Sequence, residues 1–281
     1  MQNSEIDDFI IRALKEDIGD GDHTSLACIP YSSKGKAHLL VKEEGILAGV
    51  ELAERIFKTV DKDISIKLLL RDGSPVKPGN IAFIVEGSVQ AILKTERLVL
   101  NCMQRMSGIA SYTCKMVKQL EGLNTKLLDT RKTTPGIRFM EKWAVKIGGG
   151  ENHRFGLYDM IMIKDNHIDY AGGIENAINA VKSYLHKNNK NIKIEIEARN
   201  LIELNEILSL GGVDRIMLDN FSIEDLKTAV TLINRQYETE ASGGITDKNI
   251  RDYAATGVDF ISVGALTHNF KSLDLSLKAL R

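Results

Sequence analysis

The chain opens on apolar positions spaced for a helix. In SEIDDFIIRALKEDI, Ile6, Phe9, Ile10 and Leu14 share one face, Ser4 takes the cap position and acids fill the first turn, which predicts an amphipathic helix. The acidic turn EDIGDGDHTS follows. It lacks the sixth-position glycine and the closing glutamate of a calcium loop, which excludes an EF-hand. Short strand-like runs come next, KAHLLV, GILAG, ISIKLLL and NIAFIVEG, interrupted by a helix near residues 50–60 and by the turn RDGSPVKPGN. From about 88 to 121 the pattern is helical again, as one or two helices with Gly108 as the expected break. This half predicts a mixed α/β layer.

The second half has a different rhythm. Brief apolar strands, KLLDT, MIMIK, IKIEIE, RIMLD, YETEAS and DFISVG, alternate with helical patterns. Three of them share an entry of Gly, then Asp, then an apolar run: GLYDMIMI, GVDRIMLD and GVDFISVG. Their aspartates, Asp159, Asp214 and Asp259, are 55 and 45 residues apart. A recurring helix-stop glycine before a buried strand, among six such strands, predicts a parallel barrel, and a doubly wound open sheet fits the same pattern. All six strands run into charged, hydroxyl or glycine residues: Thr130-Arg131-Lys132, Lys164-Asp165-Asn166-His167, Glu197, Asp219-Asn220, Ser242-Gly243-Gly244 and Gly264-Ala265. Active sites of parallel α/β folds gather at the carboxyl ends of strands, so these residues suggest a working rim.

Composition narrows the function. At 281 residues the chain has material for one large or two modest domains. Its 37 Lys and Arg nearly balance its 38 Asp and Glu, which argues against a general nucleic-acid or membrane-surface binder. Yet six Lys or Arg stand against two Glu between Arg131 and Arg154. That local excess points to a small anion. Cys28, Cys102 and Cys114 are odd in number and form no CxxC pair, as reduced thiols do. No apolar run approaches the ~20 residues of a membrane span, and the acidic start is unlike a signal peptide. The expected location is the cytoplasm.

The strand-end residues suggest specific chemistry. Ser242-Gly243-Gly244 before the helical pattern TDKNIRDYAA, with Gly264-Ala265 in the last unit, suits a phosphate held by backbone N–H groups; tight turns are the plainer alternative. Glu195 and Glu197 alternate with Ile194 and Ile196, which puts both carboxylates on one side of their strand. Glu197, nearer the strand end, and Asp219 suit Mg²⁺ shared with substrate oxygens, or pairing with nearby Lys or Arg. Arg131, Lys132, Arg138, His153, Arg154 and Lys164 form a cationic set for a multiply charged anion. Lys142 and Lys146, four apart on a helix, read instead as a solvated face. His167 and His153 are candidates for the core or for supporting roles, His153 the stronger because Arg154 adjoins it. No nucleophilic triad or zinc spacing emerges.

In order along the chain, LNCMQRMSGIAS, DTRKTTPGIRFMEKWAVKIGGGENHRFGLYDMIMIKDNHI, IEIEARNL, IMLDN, EASGGI and GVDFISVGALTH resemble quinolinate phosphoribosyltransferases. KDNHI, where KENHI is common, is a small departure that preserves charge. The resemblance implies an N-terminal α/β sandwich (1–107), an incomplete, six-stranded TIM-like α/β barrel (108–266), and a tail (267–281) that can pack on the first domain. It also implies the reaction of quinolinate with phosphoribosyl pyrophosphate to nicotinate mononucleotide, CO₂ and pyrophosphate, with Mg²⁺ and no organic cofactor. Arg131, His153, Arg154 and Lys164 would hold the dicarboxylate, with Thr130 and Lys132 beside them and Arg97 reaching in from the second subunit of a homodimer. Lys132, Glu197 and Asp219 would be catalytic, the two acids facing the ribose and the Mg²⁺–pyrophosphate. Ser242, Gly243, Gly244, Gly264 and Ala265 would bind the 5′-phosphate. A same-scaffold relative with another substrate and a non-catalytic phosphate sensor are the rivals. The sensor would need the phosphate loops but not Glu197 and Asp219.

Overall fold

A computed structural model describes residues 3–280; Met1 and Gln2 of the acidic start, and Arg281, lie outside the described residues. The chain divides into two compact units, residues 1–114 with 133–149 and 266–281, and residues 115–132 with 150–265.

In the first unit, α1 (Asn3–Ile18) buries Ile6, Ile10 and Leu14 as its spacing predicts, and Ser4 lies inside its first turn rather than ahead of it. The acidic turn ends in α2 (His23–Cys28), whose first-turn N–H at Ser25 is accepted by Asp22 Oδ1 at 3.1 Å. Strands β1 (Lys34–Val41), β2 (Gly45–Ile46), β3 (Ser65–Leu68), β4 (Pro75–Val76) and β5 (Ile81–Ser88) follow, with α3 (Val50–Val60) between β2 and β3. The main sheet is antiparallel in the order β12-β1-β5-β3, where β12 (Leu275–Leu280) is the last strand of the chain. Ala37, Leu39 and Val41 alternate inward along β1. Helix α3 covers the sheet through Phe57, whose ring meets Phe83 of β5 edge-on at 6.0 Å.

Helix α4 (Val89–Gln119) runs unbroken through Gly108. The glycine is there for packing: a Cβ at 108 would fall on the Lys271 carbonyl oxygen and lie 2.9 Å from Ser272 Cα. Close approach of backbone, rather than a turn, excludes a side chain. Helix α5 (Arg138–Ile147) also belongs to this unit, with Phe139 edge-on to Phe9 at 5.4 Å. Its Lys142 is 2% exposed, not solvated as its spacing suggested, whereas Lys146 is exposed.

The second unit holds β6 (Lys126–Leu128), β7 (Ile161–Ile163), β8 (Ile194–Ala198), β9 (Arg215–Asp219), β10 (Glu238–Ser242) and β11 (Phe260–Ser262). Helices α6 (Asp165–Ala171), α7 (Ile174–Lys187), α8 (Leu201–Leu210), α9 (Ile223–Ile233) and α10 (Ile250–Ala254) complete it, and α11 (Ala265–His268) begins at its last residue and continues in the first unit. All strand pairs are parallel, in the order β6-β11-β10-β9-β8-β7. The last strand thus closes on the first, and the ring is open only between β6 and β7, where Glu151 adds one bridge to Leu128. This is the incomplete α/β barrel. The shared entry of Gly and then Asp has a physical basis at the two positions where it is Gly-x-Asp. Asp214 accepts the first N–H of β8 (Ile194, 2.7 Å), and Asp259 accepts the N–H of Thr239 in β10 (2.8 Å), so each pins the start of the adjacent strand. Asp159 instead accepts the N–H groups of Phe155 (2.6 Å) and Gly156 (2.8 Å) in its own loop.

Candidate functional site

The carboxyl ends of the barrel strands carry most of the residues singled out above. Beyond β6, the Thr130 hydroxyl accepts the Lys132 N–H at 3.0 Å and tightens the turn that presents Arg131 and Lys132. Lys132 is exposed and Arg131 half-buried. Arg131 Nε is buried without a hydrogen-bond partner among the described residues. Arg154, also half-buried, donates to the Met160 carbonyl at 3.2 Å. Burial foremost, and then the charge of Arg131, lowers the pKa of Arg154. Neither arginine forms an ion pair among the described residues; Arg131 disfavours the charge of Arg154, and Glu195 and Asp159 partly offset that, beside an unsatisfied buried donor. Such an arrangement favours an anion that completes it.

Lys164 follows β7, and its backbone N–H is accepted by His167 Nδ1 at 2.9 Å, which sets His167 as a helix-capping group. Lys164 Nζ lies 3.5 Å from Glu197 Oε2 at the end of β8. Burial foremost raises the pKa of Glu197; Lys164 opposes the rise, while Asp219 and Asp165 add to it. Asp219, at the end of the adjoining β9, accepts from Asn220 Nδ2 at 2.6 Å. The cationic pairing expected for these acids is therefore present at Glu197. Two oxygen donors of like charge, close enough for one to raise the other, also fit a hard cation whose other ligands are substrate oxygens.

Beneath this rim is a buried network that the sequence did not single out. His153 Nε2 lies 3.0 Å from Glu195 Oε2 and 3.3 Å from Glu240 Oε2, and Arg215 Nη1 donates to Glu240 Oε2 at 3.1 Å. The His153 backbone N–H donates to Asp129 Oδ1 at 2.9 Å, and Asn152 Nδ2 donates to the other oxygen of Asp129 at 2.6 Å. Burial works against charge on the imidazole, but Glu195 and Glu240 together outweigh it and push its pKa up to about 9. The Arg154 N–H, however, donates to Nδ1 at 2.6 Å, which requires a bare nitrogen there. The hydrogen bond decides, because a backbone N–H one residue away cannot turn aside, and the ring is the neutral tautomer with its proton on Nε2. Burial and the charge of Glu240 push the Glu195 carboxyl up to about 7. Burial also works to raise Glu240, but His153 and Arg215 hold it below the usual carboxylate range. Asp129, Arg215 and Glu240 were missed. The Glu238-Glu240 alternation in YETEAS, which mirrors Glu195-Glu197, was the available signal.

The glycine loops adjoin Asp219. Gly243 (φ +94°) packs so closely on Asn220 that a Cβ would fall on the Asn220 side chain, and the Asn220 N–H donates to the Ser242 carbonyl at 2.8 Å. Helix α10 starts only at Ile250, so the backbone N–H groups at Ser242–Gly244 belong to a loop and not to a helix start. Ala265 is the first residue of α11, and Gly264 precedes it. Arg97 and Arg138 belong to the first unit. Arg97 is exposed, and Arg138 Nε donates to the Thr133 hydroxyl at 2.9 Å. A cavity of about 980 Å³ opens at the opposite, amino ends of the strands, lined by Lys193, Asp214, Arg235, Tyr237 and Glu238 among others. None of its described lining residues has a buried polar side-chain atom without a hydrogen bond. The unsatisfied groups of this unit, and with them the candidate chemistry, are at the carboxyl ends and just beneath them.

Residues 109–278 match the family described as quinolinate phosphoribosyl transferase, C-terminal domain, and residues 22–107 match its N-terminal domain. The chain is 46% identical, over 281 aligned positions, to quinolinate phosphoribosyltransferase [decarboxylating] 1b of Nicotiana tabacum, an alignment covering 95% of the chain and 80% of that relative. Identity and coverage are the same for the chloroplastic nicotinate-nucleotide pyrophosphorylase [carboxylating] of Arabidopsis thaliana. Among solved structures, NadC from Streptococcus pyogenes superposes with a TM-score of 0.93 at 38% identity, covering 100% of this chain and 99% of that one.

Proposed function

Because the chain belongs to the quinolinate phosphoribosyltransferase family, we propose that it transfers phosphoribosyl from phosphoribosyl pyrophosphate to quinolinate with decarboxylation, a step of NAD biosynthesis. The products are nicotinate mononucleotide, CO₂ and pyrophosphate. The observation that carries the proposal is the pair of Arg131, with its orphaned buried Nε, and Arg154, neither of which forms an ion pair among the described residues. A pyridine dicarboxylate supplies two negative charges to this pair, and its flat carboxylates match the guanidinium forks.

Arg131, Arg154 and Lys164 would hold the dicarboxylate, with His153 behind them against the Arg154 backbone, and Thr130 would keep the turn that aims Arg131 and Lys132. The loops Ser242-Gly243-Gly244 and Gly264-Ala265 would take the 5′-phosphate. With both substrates held, the ring nitrogen attacks the ribosyl carbon as its bond to pyrophosphate breaks, and pyrophosphate leaves with the electron pair. Lys132, exposed at the rim, would offset the charge growing on that leaving group, and Glu197 and Asp219 would face the oxocarbenium-like ribose. The ring nitrogen, now cationic, stabilises the carbanion left when CO₂ departs, and the carbon then takes a proton. Catalysis of this kind is positioning and electrostatics, which accords with a site built from cations, two acids and bare backbone. Mg²⁺, held by Glu197 and Asp219 directly or through water together with substrate oxygens, would supply further neutralisation of the pyrophosphate.

Arg97 is exposed and makes no ion pair among the described residues. We propose that it completes the site of a second subunit in a homodimer. The protein is proposed to act in the cytoplasm. No described helix is long and apolar enough to cross a membrane, and the Arabidopsis thaliana relative is named as chloroplastic. The test is one assay with purified protein, Mg²⁺, phosphoribosyl pyrophosphate and carboxyl-labelled quinolinate. Stoichiometric CO₂ and mononucleotide are expected. Consumption of nicotinate but not of quinolinate, or binding without turnover, would overturn the proposal.

A further inference from the structure

The proposed reaction uses the face of the cationic pocket and leaves Arg215 and Glu240, beneath it, without a role. Their geometry is specific. Arg215 is clamped on three sides: its guanidinium lies 4.0 Å from the centre of the Phe260 ring, its Nε and Nη2 donate to Glu238 at 3.2 and 3.1 Å, and its Nη1 donates to Glu240 at 3.1 Å. Glu240, wholly buried, lies 3.3 Å from His153 Nε2, and Glu195 lies 3.0 Å from the same nitrogen. The other ring nitrogen of His153 accepts the Arg154 N–H, and Asp129 holds the His153 backbone. A continuous line of close polar contacts therefore runs from the first residue of β9, through β10 and the buried His153 ring, to the backbone of Arg154.

We infer that Glu240 and Arg215 are positioning residues that fix the imidazole of His153 and, through it, aim Arg154 at the substrate carboxylate. The inference rests on the proposed reaction for its kinetic expression, but the locked imidazole is independent of it. A metal site is the competing use of the same cluster, since ligand atoms of His153, Glu195 and Glu240 lie within 4.8 Å of one another. Arg215 argues against it: a guanidinium bonded to Glu240 already supplies the countercharge, and a divalent ion would have to sit beside it.

The experiment compares the full-length wild type with Glu240→Gln, Arg215→Met and the double variant. Glu240→Gln keeps the shape and removes the charge, so KM for quinolinate should rise tenfold or more while KM for phosphoribosyl pyrophosphate stays within about twofold. The double variant should resemble the single ones, because the pair acts as a unit. Equal rises in both KM values, or no rise in folded Glu240→Gln, would overturn the inference. Histidine labelled with ¹⁵N gives a readout that needs no turnover. The shielded Nε2–H of His153, identified by its absence in His153→Asn, should be visible in the wild type and lost to exchange in Glu240→Gln. If it is unchanged, the inference fails. If the wild type shows the expected signal and its loss but consumes no quinolinate, only the proposed reaction fails. A rise in Tm on adding zinc that is absent from Glu240→Gln would replace the positioning role with a metal site.

Discussion

Gly243 and Gly244 are adjacent in the loop proposed to hold the 5′-phosphate, yet their substitution by alanine should have very different consequences. Gly244 has φ +62° and open space where a Cβ would go. Alanine there meets only the left-handed penalty, about 1 kcal/mol, or roughly a fivefold change in an equilibrium. Gly243 has φ +94°, outside the left-handed well, and its Cβ would fall on the Asn220 side chain and lie 3.0 Å from the Asn220 backbone nitrogen. The side chain can swing away. The nitrogen cannot, because its N–H is tied to the Ser242 carbonyl at 2.8 Å. Overpacking of this kind costs about 1–3 kcal/mol, which with the backbone penalty brings Gly243→Ala to roughly 2–5 kcal/mol. The loop either keeps its shape, at the expense of stability, or moves away from Asn220, at the expense of phosphate binding. Calorimetric Tm, and KM for phosphoribosyl pyrophosphate at saturating quinolinate, should together register that sum. The reasoning is refuted if Gly243→Ala is as benign as Gly244→Ala in both measurements.

Gly108→Ala should lower Tm by several degrees, reversing the ~0.5–1 kcal/mol gain usual for this change inside a helix, because the Lys271–Ser272 backbone occupies the space; an unchanged or higher Tm would contradict it. Lys132→Ala should reduce kcat on the order of 10²-fold with little change in KM, and a change confined to KM would remove Lys132 from the chemistry. Arg97→Ala should abolish activity, and mixing it with Arg131→Ala should restore part of it through dimers that hold one intact site; no recovery would count against a shared site. Cys28 is exposed and should react with a thiol reagent in the folded protein at pH 8. Cys102, whose thiol burial pushes up to about 12, should react only after unfolding, and prompt labelling of it would contradict the packing of α4.

Much of the barrel was legible in the chain because its signals are local. A strand buried on both faces is mostly apolar, its entry can hold the neighbouring strand, and its exit is where polar groups can gather; hence MIMI and the IML of β9, the Gly-x-Asp entries at Asp214 and Asp259, and Lys164, Glu197 and Asp219 at the ends. The order of those polar ends also carried the family resemblance. Other features depended on contacts between distant residues. Gly108 reads as a helix break until the backbone of 271–272 is laid against it. Lys142 reads as solvated until α5 is seated in the first unit. The deepest case is the network under the rim, where residues 195, 215 and 240 of three strands converge with 129 and 153 from loops. No short-range pattern distinguishes a glutamate that ends in water from one that ends against a buried imidazole. Sequence by itself determined which groups reach the rim, since strand alternation and loop position set that locally. Tertiary structure decided which groups face one another beneath it, because a buried charge is tolerated only where the fold brings its partner.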